Sequence, residues 1–171
     1  MRTTYKRRSI AAAVGAAMAL LSAPTFSADS KTDHEIRALR ARWETAFRAK
    51  DVNGLMALYA PGEGTVAYDM IPPLQLPDAD AYRKTYEAFF SAYTGPLEVE
   101  VRDVHVISDE HIAVYFSLER IGGIIKGNHV SVWLRDTTAF RKLGGRWRIF
   151  HEHLSAPITF EGSRARIELS P

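Results

Sequence analysis

The sequence predicts an α+β domain in which helices pack on one face of an antiparallel sheet. Its first half has apolar residues at helical spacing, whereas from about residue 97 onward apolar and polar residues alternate as they do in strands. Short turns separate the alternating segments, so neighbouring strands are expected to run antiparallel. At 171 residues, with 46% hydrophobic and 11% aromatic side chains, the chain is long enough for one domain with a substantial core.

Three helices are expected before the long strands. Their predicted bounds are residues 33–50, 51–59 and 78–93. Asp51 can cap the second helix, and Asp78 or Asp80 can cap the third, because a carboxylate accepts hydrogen bonds from the first free N–H groups of a helix. The predicted strands cover residues 65–68, 97–107, 111–121, 129–142 and 146–156.

Residues 1–28 have the pattern of a secretory signal peptide. Basic residues precede an apolar run from Ile10 to Leu21, and small and polar residues follow it. The run is too short to span a bilayer. We therefore expect the domain to occupy residues 29–171 and to be periplasmic or secreted, with no membrane attachment once the leader is removed.

Charge and composition exclude several classes of function. Removing the four basic residues of the leader leaves 18 Lys and Arg against 20 Asp and Glu. No basic cluster remains that would follow a phosphate backbone, so no nucleic-acid partner is expected. The chain has no cysteine, which excludes disulfides and thiolate ligands. No Gly-rich nucleotide fingerprint is present, and no cofactor is expected.

The last predicted hairpin carries two histidines, and the candidate site is based on it. Gly144-Gly145 is a two-residue turn signal, and with that turn the paired residue numbers sum to 289. Strict alternation along the last strand then places Trp147, His151 and His153 on one face.

This register brings polar groups next to the histidines. Asp136 would lie opposite the second histidine and Thr138 opposite the first. A four-residue loop gives the same pairing, whereas a three-residue loop would bring Arg135 and Thr137 there instead.

Four segments, which together cover nearly all of the chain after the leader, resemble a known family. They are LRARWETAFRAKDVNGLMALYA, VAYDMIPP, DAYRKTYEAFF and TAFRKLGGRWRIFHEHLSAP. The resemblance is to the SnoaL-like and ketosteroid-isomerase-like branches of the nuclear transport factor 2-like superfamily. It implies a cone-shaped fold in which three N-terminal helices pack on a curved antiparallel sheet.

The resemblance also implies roles for two aspartates. In the isomerases, an acidic residue that closes the short strand after the second helix is the proton-shuttling base, and Asp69 matches it. A second, neutral aspartic acid four residues before a phenylalanine donates a hydrogen bond to the enolate, and Asp136 has that spacing. A histidine across from Asp136 would favour its ionised form, which cannot donate. Trp43 and Phe47 stand where the isomerases have a tyrosine.

These observations predict a pocket between helices and sheet for a small hydrophobic molecule with a polar head group. The predicted catalytic residues are Asp69, Asp136, His151 and His153. The predicted ligand-binding residues are Tyr68, Tyr86, Thr138 and Trp147. The compatible chemistry is cofactor-free proton transfer next to a carbonyl, as in isomerases, cyclases or dehydratases, with Asp69 or a histidine as the base.

Other interpretations remain open. The protein can be a ligand carrier or an oligomerising association module, and a homodimer is expected, with Phe150 and Leu154 on the dimer surface. The two histidines can instead brace the strand end in a structural network. Two histidines on one strand face can also bind a metal, but only their pairwise spacing supports this, and no metal site is predicted. We expect four aromatic residues to form core and cavity wall: Tyr82, Tyr86, Phe89 and Tyr93.

Overall fold

A computed structural model describes residues 31–171, and the predicted signal peptide lies outside them. Three helices form the first layer: α1 (Lys31–Arg48), α2 (Val52–Met56) and α3 (Ala79–Ala92). The short strand β1 (Val66–Tyr68) lies between α2 and α3. Within residues 31–171, no helix is both long and apolar enough to cross a membrane.

Four long strands follow and form the second layer: β2 (Thr94–Ser108), β3 (Ile112–Ile125), β4 (Asn128–Leu143) and β5 (Arg146–Ser155). Together with β1 they form a five-stranded sheet in the order β1-β5-β4-β3-β2, in which β1 pairs parallel to β5 and the other neighbours are antiparallel. A small hairpin, β6 (Ile158–Thr159) and β7 (Arg164–Ala165), follows. The predicted α+β class, with three helices on a curved antiparallel sheet, is confirmed.

Local sequence signals explain where these elements begin and turn. The carboxylate of Asp51 accepts from the Gly54 N–H at 2.9 Å, and that of Asp78 accepts from the Ala81 N–H at 2.7 Å, so each caps its helix. Gly144 and Gly145 both have positive φ, 55° and 76°, as a tight turn between twisted strands requires. The apolar stripe of α1 is buried against the sheet: Ile36, Leu39, Trp43 and Phe47.

The hairpin between β4 and β5 contains a β-bulge that the sequence did not predict. From the turn to the pair of Phe140 with Ile149, the strands follow the predicted register. Phe150 is then an extra residue, because the next pair joins Ala139 to His151. One extra residue reverses the face that every later side chain occupies.

The predicted partners of the two histidines are therefore wrong. The pairs beyond the bulge are Ala139 with His151, Thr138 with Glu152, Thr137 with His153, and Asp136 with Leu154. Neither Asp136 nor Thr138 faces a histidine, because the bulge shifts the pairing by one residue. The inner face of β5, towards the helices, carries Glu152 instead of the imidazoles.

Candidate functional site

A cavity of about 170 Å³ lies between α1, α3 and the inner face of the sheet. The helices supply an aromatic wall, and the sheet supplies an aliphatic one. The aromatic wall includes Trp43, Phe47, Tyr82, Tyr86, Phe89 and Tyr93. The aliphatic wall includes Ile121, Val132, Leu134 and Leu154. The four aromatic residues expected as core and cavity wall do line the cavity.

Asp69 supplies a carboxylate to this largely apolar cavity. It follows β1, and it lines the cavity together with Met70 and Ile71 of the loop that β1 leads into. Burial raises the pKa of Asp69, a nearby carboxylate at Glu152 raises it further, and backbone N–H groups of the loop partly oppose the rise. A half-buried carboxylate with a raised pKa is suited to exchange protons with a bound molecule.

Behind the aromatic wall, three tyrosine hydroxyls converge on one carboxylate oxygen. Oε2 of Glu152 accepts hydrogen bonds from Tyr59 at 2.7 Å, from Tyr86 at 3.3 Å and from Tyr82. Tyr59 in turn accepts from the indole N–H of Trp43 at 2.9 Å. Burial and the charge of Glu152 raise the pKa of all three tyrosines well above the ordinary value, so their hydroxyls stay protonated.

Glu152 also belongs to a fully buried ionic cluster around Arg40 of α1. Arg40 contacts Glu119 of β3 and Asp136 of β4 at 3.2 Å each, and Glu152 at 3.4 Å. Its guanidinium stacks over the ring of Trp43, 4.3 Å from the centroid. We call these four charged residues the Arg40 cluster.

One cation faces three carboxyl groups in the Arg40 cluster, so the cluster holds protons at neutral pH. Burial raises the pKa of Glu119 to about 8 and that of Asp136 to about 7, although Arg40 opposes both shifts. The Thr138 hydroxyl donates to Asp136 at 2.9 Å and thereby favours the ionised form of that carboxyl. Three carboxyl groups around Arg40 outweigh the effect of its burial and raise its pKa, so it stays charged.

The two histidines lie on the opposite, outer face of the sheet. Nδ1 of His151 donates to the Val66 carbonyl at 2.9 Å, and His153 is exposed. Both rings pack edge-on against Tyr68, which is itself 41% exposed. The expectation that both histidines share one enclosed pocket with Asp69 and Asp136 is wrong, because the bulge turns the imidazoles outward. Leu154, expected on the outer face, lines the cavity for the same reason.

The structure separates the predicted site residues into different places. Asp69 and Tyr86 line the cavity, whereas Asp136 and Thr138 are buried in and beside the Arg40 cluster. Trp147 lies away from the cavity wall, where its indole N–H donates to Glu35 at 2.8 Å. Catalytic and ligand-binding roles for these residues stay predictions.

Sequence reasoning missed Arg40, Glu119 and Glu152, although two of them carry a signal. Arg40 interrupts the apolar stripe of α1, and Glu119 occupies an inward position of β3, between Ser117 and Ile121. A charge at an inward position predicts a buried ionic partner. Glu152 gave no such signal, because alternation without the bulge places it outside.

Among residues 31–171, no three His, Cys, Asp or Glu side chains are grouped so that they could hold a metal ion. The carboxyl groups of the Arg40 cluster contact the guanidinium of Arg40.

Comparison with known proteins defines the class to which this fold and cavity belong. Residues 36–159 match the SnoaL-like domain family. The chain therefore belongs to that family, within the nuclear transport factor 2-like superfamily. A search of curated proteins gives no match.

Several solved structures share the fold. One is a nuclear transport factor 2-like protein of unknown function from Pseudomonas putida KT2440, with 33% identity over 82% of this chain and 96% of that chain, and a TM-score of 0.74. A candidate calcium/calmodulin-dependent protein kinase II association domain from Xanthomonas campestris shares 22% identity over 76% and 90% of the two chains, with a TM-score of 0.66. A ketosteroid isomerase-like protein from Erwinia carotovora atroseptica shares 18% identity over 74% and 97%, with a TM-score of 0.63. The last two likenesses are of fold alone.

Proposed function

We propose that the protein binds a small, largely apolar molecule in the cavity and transfers a proton on it, with Asp69 as the general base. The observation that carries this proposal is the position of Asp69, a half-buried carboxylate in an aromatic and aliphatic wall with its pKa raised by burial. Isomerases, cyclases and dehydratases that work without a cofactor use such a base. His151 and His153 face away from the cavity, which leaves Asp69 as the candidate base among the residues first considered.

The proposed step is removal of a proton from the carbon next to a carbonyl group. The C–H electron pair forms the carbon–carbon double bond of the enolate while the carbonyl π pair moves to oxygen, and the protonated Asp69 then returns a proton to carbon. In D₂O the carboxyl proton of Asp69 exchanges with solvent before the return, so the cycle replaces hydrogen by deuterium at that carbon. The reaction can therefore be followed before the natural substrate is known.

The experiment is deuterium exchange into one-ring ketones such as cyclohexanone and phenylacetone, followed by NMR. We expect the protein to accelerate exchange by about 10²-fold or more over buffer, the range of a positioned general base. Asp69→Asn should reduce the rate to that of buffer. Asp80→Asn, an exposed aspartate in the first turn of α3, is the matched control and should keep the wild-type rate.

A second candidate function is ligand carriage without chemistry. It is favoured because Asp69 is the one predicted catalytic residue that lines the cavity, and a carboxylate alone can serve to orient a ligand. Tight binding of a ketone without any exchange above buffer would support carriage and contradict the proposed reaction.

We also propose that the protein is exported and forms a homodimer. The leader pattern supports export, and mass spectrometry of the protein from a periplasmic extract should show that a leader of about residues 1–28 has been removed.

Exposed apolar side chains on the sheet, such as Ile107 and Ile112, support a dimer surface. Analytical ultracentrifugation of the domain should show twice the monomer mass.

A further inference from the structure

We infer that the cavity selects a single-ring molecule whose head group donates hydrogen bonds, as the hydroxyl of a phenol or enol or the amino group of an aromatic amine does. This inference rests on the proposed binding function and names the ligand class of that site. It follows from the size of the cavity, the shape of its walls and the direction of the hydrogen bonds behind it.

The volume restricts the ligand to about one ring. The cavity measures about 170 Å³. An engineered apolar cavity of about 150 Å³ in another protein holds benzene, whereas pockets for drug-sized ligands have about 300–1,000 Å³. The cavity can therefore enclose one ring with a few substituents, and a fused four-ring molecule exceeds its volume.

The walls suit a flat molecule. Trp43 and Phe47 stack with ring centroids 4.7 Å apart, and Phe47 packs edge-on against Tyr86. The aliphatic side chains of the sheet face these rings from the other side. An aromatic ring placed between the two layers gains both ring contacts and burial of its apolar surface.

The direction of the hydrogen bonds determines which head group fits. A tyrosine hydroxyl has one proton, and those of Tyr82 and Tyr86 are directed to Glu152 or to each other, away from a ligand. The Thr85 hydroxyl is likewise directed to the Ala81 carbonyl at 3.3 Å. These hydroxyls therefore offer no proton to a ligand.

The carboxylate of Asp69, in contrast, lines the cavity and is an acceptor. The Tyr93 hydroxyl can also donate, but Tyr93 follows the last turn of α3, whereas the charge of Asp69 acts on Tyr82 and Tyr86 earlier in that helix. The end of the cavity near Asp69 therefore presents a carboxylate acceptor and no hydroxyl proton. Such an end accepts an O–H or N–H group and rejects a carboxylate.

The experiment compares ligands of nearly equal size that differ in the head group. Isothermal titration calorimetry, or quenching of tryptophan fluorescence, is carried out with p-cresol, p-xylene, p-tolualdehyde and p-toluate. We expect p-cresol to bind at least tenfold more tightly than p-xylene and p-tolualdehyde, because a hydrogen bond to a carboxylate is a strong one. We expect p-toluate to bind at least tenfold more weakly than p-xylene.

Two variants test the origin of the preference. Asp69→Asn places an amide donor at this wall and should reduce the ratio of p-cresol to p-tolualdehyde affinity at least fivefold. Asp80→Asn, which is exposed and outside the cavity lining, should leave that ratio unchanged. Because Asp69 is only half-buried, its variant is expected to fold, and the far-ultraviolet circular dichroism spectrum checks this.

The possible results separate the two proposals. Equal affinity for all neutral probes, or tighter binding of p-tolualdehyde or p-toluate than of p-cresol, overturns the donor preference but leaves the proposed binding function in place. No binding of any probe at millimolar concentration overturns both the ligand class and the binding function. Preference for p-cresol without any deuterium exchange in ketones retains the ligand class and contradicts the catalytic proposal.

Discussion

The cavity and the Arg40 cluster lie on the two sides of the aromatic wall, and they differ in how accessible their carboxyl groups are. Asp69 remains half-buried and reachable in an apolar cavity, whereas the three carboxyl groups around Arg40 are no more than 1% exposed. Burial raises a carboxyl pKa in both regions. A raised pKa alone therefore does not identify a reactive carboxyl group. A candidate base must also be accessible to a bound molecule, and the carboxyl groups around Arg40 are not.

The largest loss of stability is expected for Arg40→Met, and such a loss would show that the Arg40 cluster has a structural role. Removing the cation leaves three buried carboxyl groups without their partner, and the free energy of unfolding should fall by about 3–5 kcal/mol. Urea unfolding measures the change. Arg42→Met, on the exposed side of the same helix, is the control and should stay within about 0.5 kcal/mol of wild type. Equal losses in both variants would contradict the structural role.

Glu152→Gln tests the contact between the two regions. The amide keeps the size of the side chain but loses the charge that accepts three hydroxyl protons, so we expect a loss of about 1–3 kcal/mol in the free energy of unfolding. Glu110→Gln in the exposed turn between β2 and β3 serves as the control. If Glu152→Gln unfolds at the wild-type urea concentration, the hydrogen bonds of the three tyrosines to this carboxylate do not contribute to stability.

The pH dependence of stability should also come from the Arg40 cluster. The pKa of Glu119 is about 8 and that of Asp136 about 7 in the fold, above the ordinary values of 4.5 and 3.8. Between its unfolded and its folded pKa, each of these carboxyl groups holds a proton in the folded chain but has lost it in the unfolded chain. The free energy of unfolding therefore falls as pH rises from 5 to 8, by up to about 1.4 kcal/mol per pH unit for each proton. Urea unfolding at several pH values measures the slope.

Glu119→Gln should make that slope less steep by the share of one proton, because the amide does not titrate while Asp136 still does. Glu110→Gln should keep it. An unchanged slope in Glu119→Gln would mean that other groups determine the pH dependence and that Glu119 titrates near its ordinary pKa in the fold.

The smallest change in stability and in ligand affinity is expected for His153→Ala. Its ring is exposed on the outer face and packs edge-on against Tyr68, with 5.9 Å between the ring centroids. We expect no measurable change in urea midpoint or in p-cresol affinity. A tenfold loss of affinity would show that His153 contributes to the binding site, and would contradict its position on the outer face of the sheet.

The fold could be predicted from the sequence because periodicity is repeated over many residues. The apolar stripe of α1 and the alternation of the long strands each provide several independent signals, so one irregular residue does not change the prediction. The cap residues Asp51 and Asp78 added local evidence at the helix starts, and both caps are observed.

The candidate site was predicted only in part, because it depends on single residues. Alternation has a period of two, so the one extra residue at Phe150 moved His151 and His153 outward and brought Glu152 inward. No composition signal marks this bulge. Asp69 was found through the family resemblance, and its position at the end of a short strand did not depend on the register of the hairpin.

The Arg40 cluster has a consequence for the order of events during synthesis. Arg40 belongs to the first helix, yet its partner Glu152 follows 112 residues later, on the last long strand. The helix can form as it leaves the ribosome, but its central charge stays uncompensated until nearly the whole domain has emerged. Closing so long a loop is slow and depends on all intervening strands. A nascent chain stopped before residue 152 should therefore remain open to protease, and release of the final strand should be the step that makes it resistant.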